Sequence, residues 1–150
     1  MAAVIAGIET GWGQDTVIGS ASDDRIDTGG DQDRLVGGLG ADVLTGGGGC
    51  DTFVFNALEE IGVLPGRQDI ITDFVSQSDK IDLATIDANT LLEGNQAFVY
   101  VGAQVFSGLA GELRFVDQIL SGDVNGDQVA DFRLQLTGVL SLSASRDLVV

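Results

Sequence analysis

The sequence predicts an all-β fold: a right-handed parallel β-roll of nonapeptide repeats followed by an antiparallel β cap. Three observations carry it. Residues 10–54 divide into five successive nines with aspartate in one column and an apolar residue two columns later. Glycine crowds the columns ahead of the aspartate. Beyond residue 55 the beat stops, and short alternating runs separated by turn residues replace it. The expected division is therefore 1–55 for the roll and 56–150 for the cap.

The nines read TGWGQDTVI, GSASDDRID, TGGDQDRLV, GGLGADVLT and GGGGCDTFV. Column six holds Asp15, Asp24, Asp33, Asp42 and Asp51, and column eight holds Val17, Ile26, Leu35, Leu44 and Phe53, with Ile8 on the same beat one step earlier. A three-residue strand with only its middle residue apolar points one side chain inward. The six residues before it must reverse the chain. Glycine permits positive φ and close backbone approach there: Gly37 and Gly46 in column one, Gly11, Gly29, Gly38 and Gly47 in column two, Gly30 in column three, and Gly13, Gly40 and Gly49 in column four.

Two nines return the chain to its starting side, so 18 residues make one coil and strands stack about 4.8 Å apart. Asp15, Asp33 and Asp51 then share one edge, and Asp24 and Asp42 the other. Stacked like charges repel, and a hard cation held by carboxylates and bare glycine carbonyls reverses the sign. Six to eight oxygens at about 2.3–2.6 Å suit calcium better than magnesium. Three between-turn sites follow, 15/33, 33/51 and 24/42, hence three or more calcium ions. Ser20, Ala21 and Ser22 depart from the pattern in the second repeat, Thr10 and Thr28 occupy column one, and Asp31 stands in column four. The sites nearest the N-terminus are expected to be the weaker ones.

In the second half, DIITDF and DKIDL read as short strands, AFVYVG as a strand, and ELRFV and DFRLQL as strands around an Asn125-Gly126 hairpin turn. This half is expected to cap the open end of the coil. Asp123, Asn125, Asp127 and Asp131 occupy positions one, three, five and nine of an EF-hand-like loop, but Gln128 replaces the glycine and Leu134 the bidentate glutamate. Calcium there and a plain acidic hairpin turn both stay open. Asp69, Asp73, Asp79 and Asp82 suggest an acidic face or ion ligation near the end of the roll rather than paired catalytic carboxylates.

Composition excludes much else. The 150 residues carry 23 acidic and 7 basic side chains for a net charge of −16, and no histidine. Such a surface repels nucleic acid and anionic lipid. An HExxH zinc site is impossible without histidine. Cys50 is the single cysteine, so no internal disulfide forms. The opening MAAVIAGIETGW lacks a basic n-region, and no run reaches membrane-spanning length. No membrane insertion is expected, and the chain is expected to be a monomer.

The repeat matches GGxGxDxUx, the calcium-binding (hemolysin-type) repeat of RTX proteins. The order of DTFVFNALEE, DIITDFVSQSDKIDL, GELRFV, GDVNGDQVADFRLQLTG and the final DLVV further resembles the C-terminal domain of serralysin-type (M10) secreted metalloproteases. In that family a zinc protease domain precedes this region, and none of its chemistry can be hosted here, so the resemblance leaves two alternatives, the C-terminal part of a longer hydrolase or a freestanding module. It also implies extracellular export through a bacterial type I machinery that reads an uncleaved C-terminal signal, here Asp147-Leu148-Val149-Val150. The alternative is a polysaccharide-binding or adhesive RTX module.

Overall fold

The computed structural model describes residues 6–64 and 66–150; the start of the opening segment and Pro65 lie outside the described residues. The repeats form β1 (Ala6–Glu9), β2 (Thr16–Ile18), β3 (Asp24–Asp27), β4 (Arg34–Val36), β5 (Val43–Thr45) and β6 (Thr52–Val54). Odd and even strands stack separately and in parallel. Ile8 pairs with Ile26 and Ile26 with Leu44 on one side, while Val17, Leu35 and Phe53 align on the other. The apolar column is the core: Ile26, Leu35, Leu44 and Phe53 are fully buried. Each such side chain contributes about 1.5–3 kcal/mol through burial.

The stacks do not stop where the nonapeptide beat stops. β7 (Ile70–Ile71) pairs in parallel with β5, and β8 (Lys80–Asp82) with β6, placing buried Ile71 and Ile81 on the same two columns. The turns leading to them, 55–69 and 72–79, have lost the glycine spacing. A boundary at 55/56 is thus a boundary in sequence pattern that the strand ladders run across. Phe55, Ile61 and Phe74 are buried over this end of the coil, Phe74 lying 6.2 Å from Phe53 between ring centroids.

The cap is antiparallel at its centre and continues one sheet of the roll. β10 (Glu112–Val116), β11 (Ile119–Asp123) and β12 (Phe132–Leu136) pair antiparallel, β12 joins β7 in parallel, and β9 (Val99–Tyr100) closes the far edge. The result is an eight-stranded sheet, β1-β3-β5-β7-β12-β11-β10-β9. One expectation fails here. ELRFV and DFRLQL are not hairpin partners around Asn125-Gly126, because β11 lies between them. The tight turn is Asp117-Gln118, where φ is 51° and 67°. Positive φ at both central residues suits the twist of a two-residue hairpin. Gly122 of β11 leaves room for Phe132, whose ring edge would lie 2.3 Å from any added Cβ.

The chain ends inside the fold. A one-turn helix, α1 (Ala144–Asp147), delivers β13 (Leu148–Val149) parallel to β8, so the second sheet runs β13-β8-β6-β4-β2. Asp147 and Leu148 are buried, while Val149 and Val150 keep substantial exposure. Asp147 is held because its carboxylate accepts hydrogen bonds from the Gln77 and Ser143 amides and the Ser76 hydroxyl. Among the described residues no helix is long and apolar enough to cross a membrane.

Candidate metal centre

The glycine hexads form two edges of stacked turns. On one edge Asp15 N–H donates to Asp33 Oδ1 at 2.8 Å, Asp33 N–H to Asp51 Oδ1 at 3.0 Å, and Asp51 N–H to Asp79 Oδ1 at 3.0 Å. On the other, Asp24 N–H donates to Asp42 Oδ1 and Asp42 N–H to Asp69 Oδ1, both at 2.8 Å. One carboxylate oxygen of Asp33, Asp42, Asp51, Asp69 and Asp79 therefore ties its turn to the preceding coil, whereas Asp24 Oδ2 accepts the Ser20 amide of its own turn. Asp69 and Asp79, read in the sequence as part of an acidic face or ion ligation near the end of the roll, continue the two ladders. Their signal was the D-x-U triplet, Asp69-Ile70-Ile71 and Asp79-Lys80-Ile81, without the glycines in front.

The other oxygens are the telling ones. Asp15 Oδ2, Asp24 Oδ1, Asp33 Oδ2, Asp42 Oδ2, Asp51 Oδ2 and Asp69 Oδ2 are buried and accept no hydrogen bond. Such an oxygen costs about 1–3 kcal/mol, more when charged. The electrostatics agree. Burial, then the neighbouring negative charges, push Asp42 up to about 6 against one helpful N–H from Asp24. Asp51 rises to about 6 and Asp69 to about 8, again chiefly through burial. Burial raises Asp79 as well.

The glycines divide by role. In column one, a Cβ on Gly37 would sit 2.3 Å from Asp42 Oδ2, and one on Gly46 would sit 2.4 Å from Asp51 Oδ2. These positions make room for the carboxylate of their own repeat. In columns two and four positive φ dominates, from 87° at Gly47 to 148° at Gly49, and a Cβ there would meet the backbone of the neighbouring turn: Gly11 for Gly29, Ser20 for Gly38, Ser22 for Gly40. The carbonyls of Gly11 and Gly29 each accept an N–H from the next coil, from Gly30 and Gly48. A carbonyl has a second lone pair to offer. Gly13 N–H donates to Asp31, which itself adopts φ 82° in place of glycine. Ser20 and Ser22 do not adopt positive φ, so the second turn is built differently.

Column one on the first edge is also different. Thr10 Oγ1 donates to the Thr28 carbonyl and Thr28 Oγ1 to the Gly46 carbonyl, so hydroxyls engage carbonyls on the 15/33/51 edge. Among the described residues no three acidic or sulfur side chains converge. A cation between turns would draw on the paired column-six carboxylates and complete its shell with main-chain oxygens. Buried anionic oxygens without donors, beside glycines whose Cβ would fill the space, fit a hard cation.

The second candidate loop is of another kind. Asp123 Oδ1 accepts the amides of Asn125 and Gly126, and its Oδ2 accepts that of Gln128. Asp131 takes the Val124 amide and the Asn125 side chain, Asp127 the Val129 amide, and Asn125 the Asp127 amide. No oxygen of these residues is buried without a partner.

A family model described as Peptidase M10 serralysin C terminal matches residues 2–150. The chain belongs to that serralysin C-terminal family. The matched family is the C-terminal domain of the peptidases and not their catalytic domain. Among solved structures, this serralysin C-terminal domain is similar to the AlgE6R3 subunit of the mannuronan C5-epimerase of Azotobacter vinelandii, determined in solution. The two are 26% identical with a TM-score of 0.51, over 99% of this chain and 82% of that one. Comparison with curated proteins finds no match. The domain is an RTX-type parallel β-roll with an antiparallel cap.

Proposed function

We propose that this domain is a calcium-binding RTX module that folds on meeting extracellular calcium and serves as the C-terminal part of a secreted hydrolase such as a metalloprotease. The six donor-less buried carboxylate oxygens carry the reading. They make the metal-free roll electrostatically expensive and reward a divalent cation between successive turns. Asp15, Asp24, Asp33, Asp42 and Asp51, with Asp69 and Asp79 extending the ladders, would hold it together with carbonyls of the glycine columns. Bound calcium neutralises the stacked carboxylates and bridges adjacent coils. In a cytosol poor in calcium the −16 chain stays unfolded, and at extracellular concentrations it folds. The test is far-UV circular dichroism in EGTA followed by titration. Chelation is expected to abolish most of the β signal, calcium to restore it cooperatively, and magnesium to substitute poorly. A spectrum indifferent to chelation overturns the switch.

Export is the second part of the proposal. Asp147–Val150 would be read by a type I machinery while the chain is unfolded, as the family implies. Because Leu148 is buried against β8 while Val149 and Val150 are 37% and 42% exposed, the useful variant is Val149→Ser with Val150→Ser. It is expected to stop secretion from cells carrying a compatible exporter while leaving calcium-induced folding intact. Normal secretion of the double variant rules out a role for those two residues.

A polysaccharide-binding reading is favoured by one observation, the likeness to a subunit of a mannuronan epimerase. The net charge of −16 opposes it for polyanions. Retention on immobilised mannuronan at physiological salt would support it.

A further inference from the structure

The cap contains a cavity that the calcium ladders do not use. β10, β11 and β12 turn Leu113, Phe115, Leu120, Phe132 and Leu134 toward the core. Their other face carries a cross-strand row, Arg114 opposite Ser121 and Ser121 opposite Arg133. The loops at Phe106 and at Gln128–Val129 rise over this face and enclose, with it, a cavity of about 400 Å³. That volume lies within the range of small-molecule sites, roughly 300–1,000 Å³.

Its charge is anomalous for this molecule. Two of the seven basic side chains meet in one cavity of a −16 chain. Among the described residues the ion pair formed is Arg34 with Asp82, at 4.0 Å, so neither cavity guanidinium has a carboxylate oxygen within that distance. Arg114 instead lies over the Phe106 ring, 5.6 Å from its centroid, and Phe106 is buried. A guanidinium held over a ring face by its charge still has its N–H groups to donate. The two arginines stand on strands two spacings apart, roughly 10 Å, with Ser121 in register between them, and all three line the cavity. Two guanidiniums and a hydroxyl lining one cavity suit a carboxylate.

The remaining wall limits what that carboxylate is attached to. Val116, Ile119 and Val129 supply apolar surface, and Asp117 sits at the same cavity. Asp117 and the surrounding negative field penalise a second negative charge. We propose that this cavity binds an organic monocarboxylate with an apolar body, held by Arg114 and Arg133. Two sources share that chemistry, a free organic acid and the C-terminal carboxylate of a peptide.

The test uses the full calcium-loaded chain and follows amide NMR shifts of Phe106, Gln128 and Val129. Phenylacetate is expected to produce saturable shifts and its neutral analogue phenylacetamide none. Arg133→Gln and Arg114→Gln are each expected to weaken phenylacetate roughly tenfold or more. Arg25→Gln, which removes the same charge from the roll, leaves it unchanged. An acetylated tripeptide ending in phenylalanine, with free or amidated C-terminus, distinguishes the sources: tighter binding of the free-acid peptide than of phenylacetate assigns the cavity to peptide ends, and weaker binding assigns it to free acids. Equal shifts from acid and amide overturn the proposal, as does equal weakening by Arg25→Gln. If either cavity variant fails to fold in calcium, the acid–amide contrast on the unaltered chain still decides.

Discussion

The turns of the roll and the loop at 123–131 are built from the same residue types, yet their aspartates are in opposite states. Asp123 is as buried as Asp42. Its two oxygens accept three backbone N–H groups, whereas Asp42 accepts one from Asp24 and leaves Oδ2 with none. An aspartate surrounded by amides folds its own loop. One deprived of them needs a cation or a proton. Aspartate density does not distinguish the two regions; the supply of N–H donors does. Glycine governs that supply, because in the roll the amides and carbonyls of each turn are spent on the neighbouring coil.

Substituting the aspartates gives the largest expected break in this comparison. Asp33 lies mid-ladder, bonded both to Asp15 and to Asp51, so under the proposed calcium reading Asp33→Ala would remove a ligand shared by two sites. The calcium midpoint for folding is expected to rise more than in Asp15→Ala; losing one ion held at 100 times its Kd removes about 2.7 kcal/mol. Asp123→Ala is expected to act differently. It orphans three amides and lowers stability by about 1–3 kcal/mol without a selective shift in calcium midpoint, as denaturant melts across a calcium series would show. Equal midpoints for the Asp33 and Asp15 variants would break the ladder; a midpoint shift in the Asp123 variant would make the loop a metal site.

Glycine substitutions sharpen the same contrast at smaller cost. Gly46→Ala drives a methyl toward Asp51 Oδ2, 2.4 Å away, while Gly48→Ala meets nothing within 4 Å and needs no positive φ. The first is expected to weaken calcium by several-fold and the second to be silent, measured by the same titration. Similar behaviour of the two would mean that column one does not serve the carboxylate.

Protons provide the gentlest test. A carboxyl whose pKa is higher in the folded chain than in the unfolded one binds more protons when folded, so the chelated roll gains stability as pH falls. Asp69 at about 8 and Asp42 and Asp51 at about 6, against 3.8 unfolded, place the gain between about pH 8 and 4. In EGTA, acidification from pH 8 to 5 is expected to recover part of the β signal by circular dichroism, and with calcium present to raise the calcium midpoint. A chelated chain that becomes less structured on acidification would contradict the burial of these carboxylates.

The five regular repeats, each half a coil, were legible because glycine, aspartate and one apolar residue recur on a fixed count, and both ladders up to Asp51 follow from that count. The last two half-coils were not. In the turns at 55–69 and 72–79 Phe55, Ile61 and Phe74 replace glycine spacing with packing, which leaves no period to read. β11 escaped because Gly122 interrupts its alternation, and its true turn, Asp117-Gln118, lacks the glycine that announces positive φ. The burial of Asp147 escaped for a third reason: it is held by Ser76 and Gln77, some 70 residues away, and no local pattern encodes such a partner.

The single inward side chain per strand has one more consequence. Most proteins cannot lengthen without redesigning their interior, since a larger globule needs a differently shaped centre. Here the cross-section stays constant, and inserting 18 residues adds one more identical rung to each ladder, from Ile26 to Leu44 and from Leu35 to Phe53. Growth by duplication then leaves every existing neighbour in place, as in a screw whose thread can be cut to any length, and only the two ends have to be finished by other means.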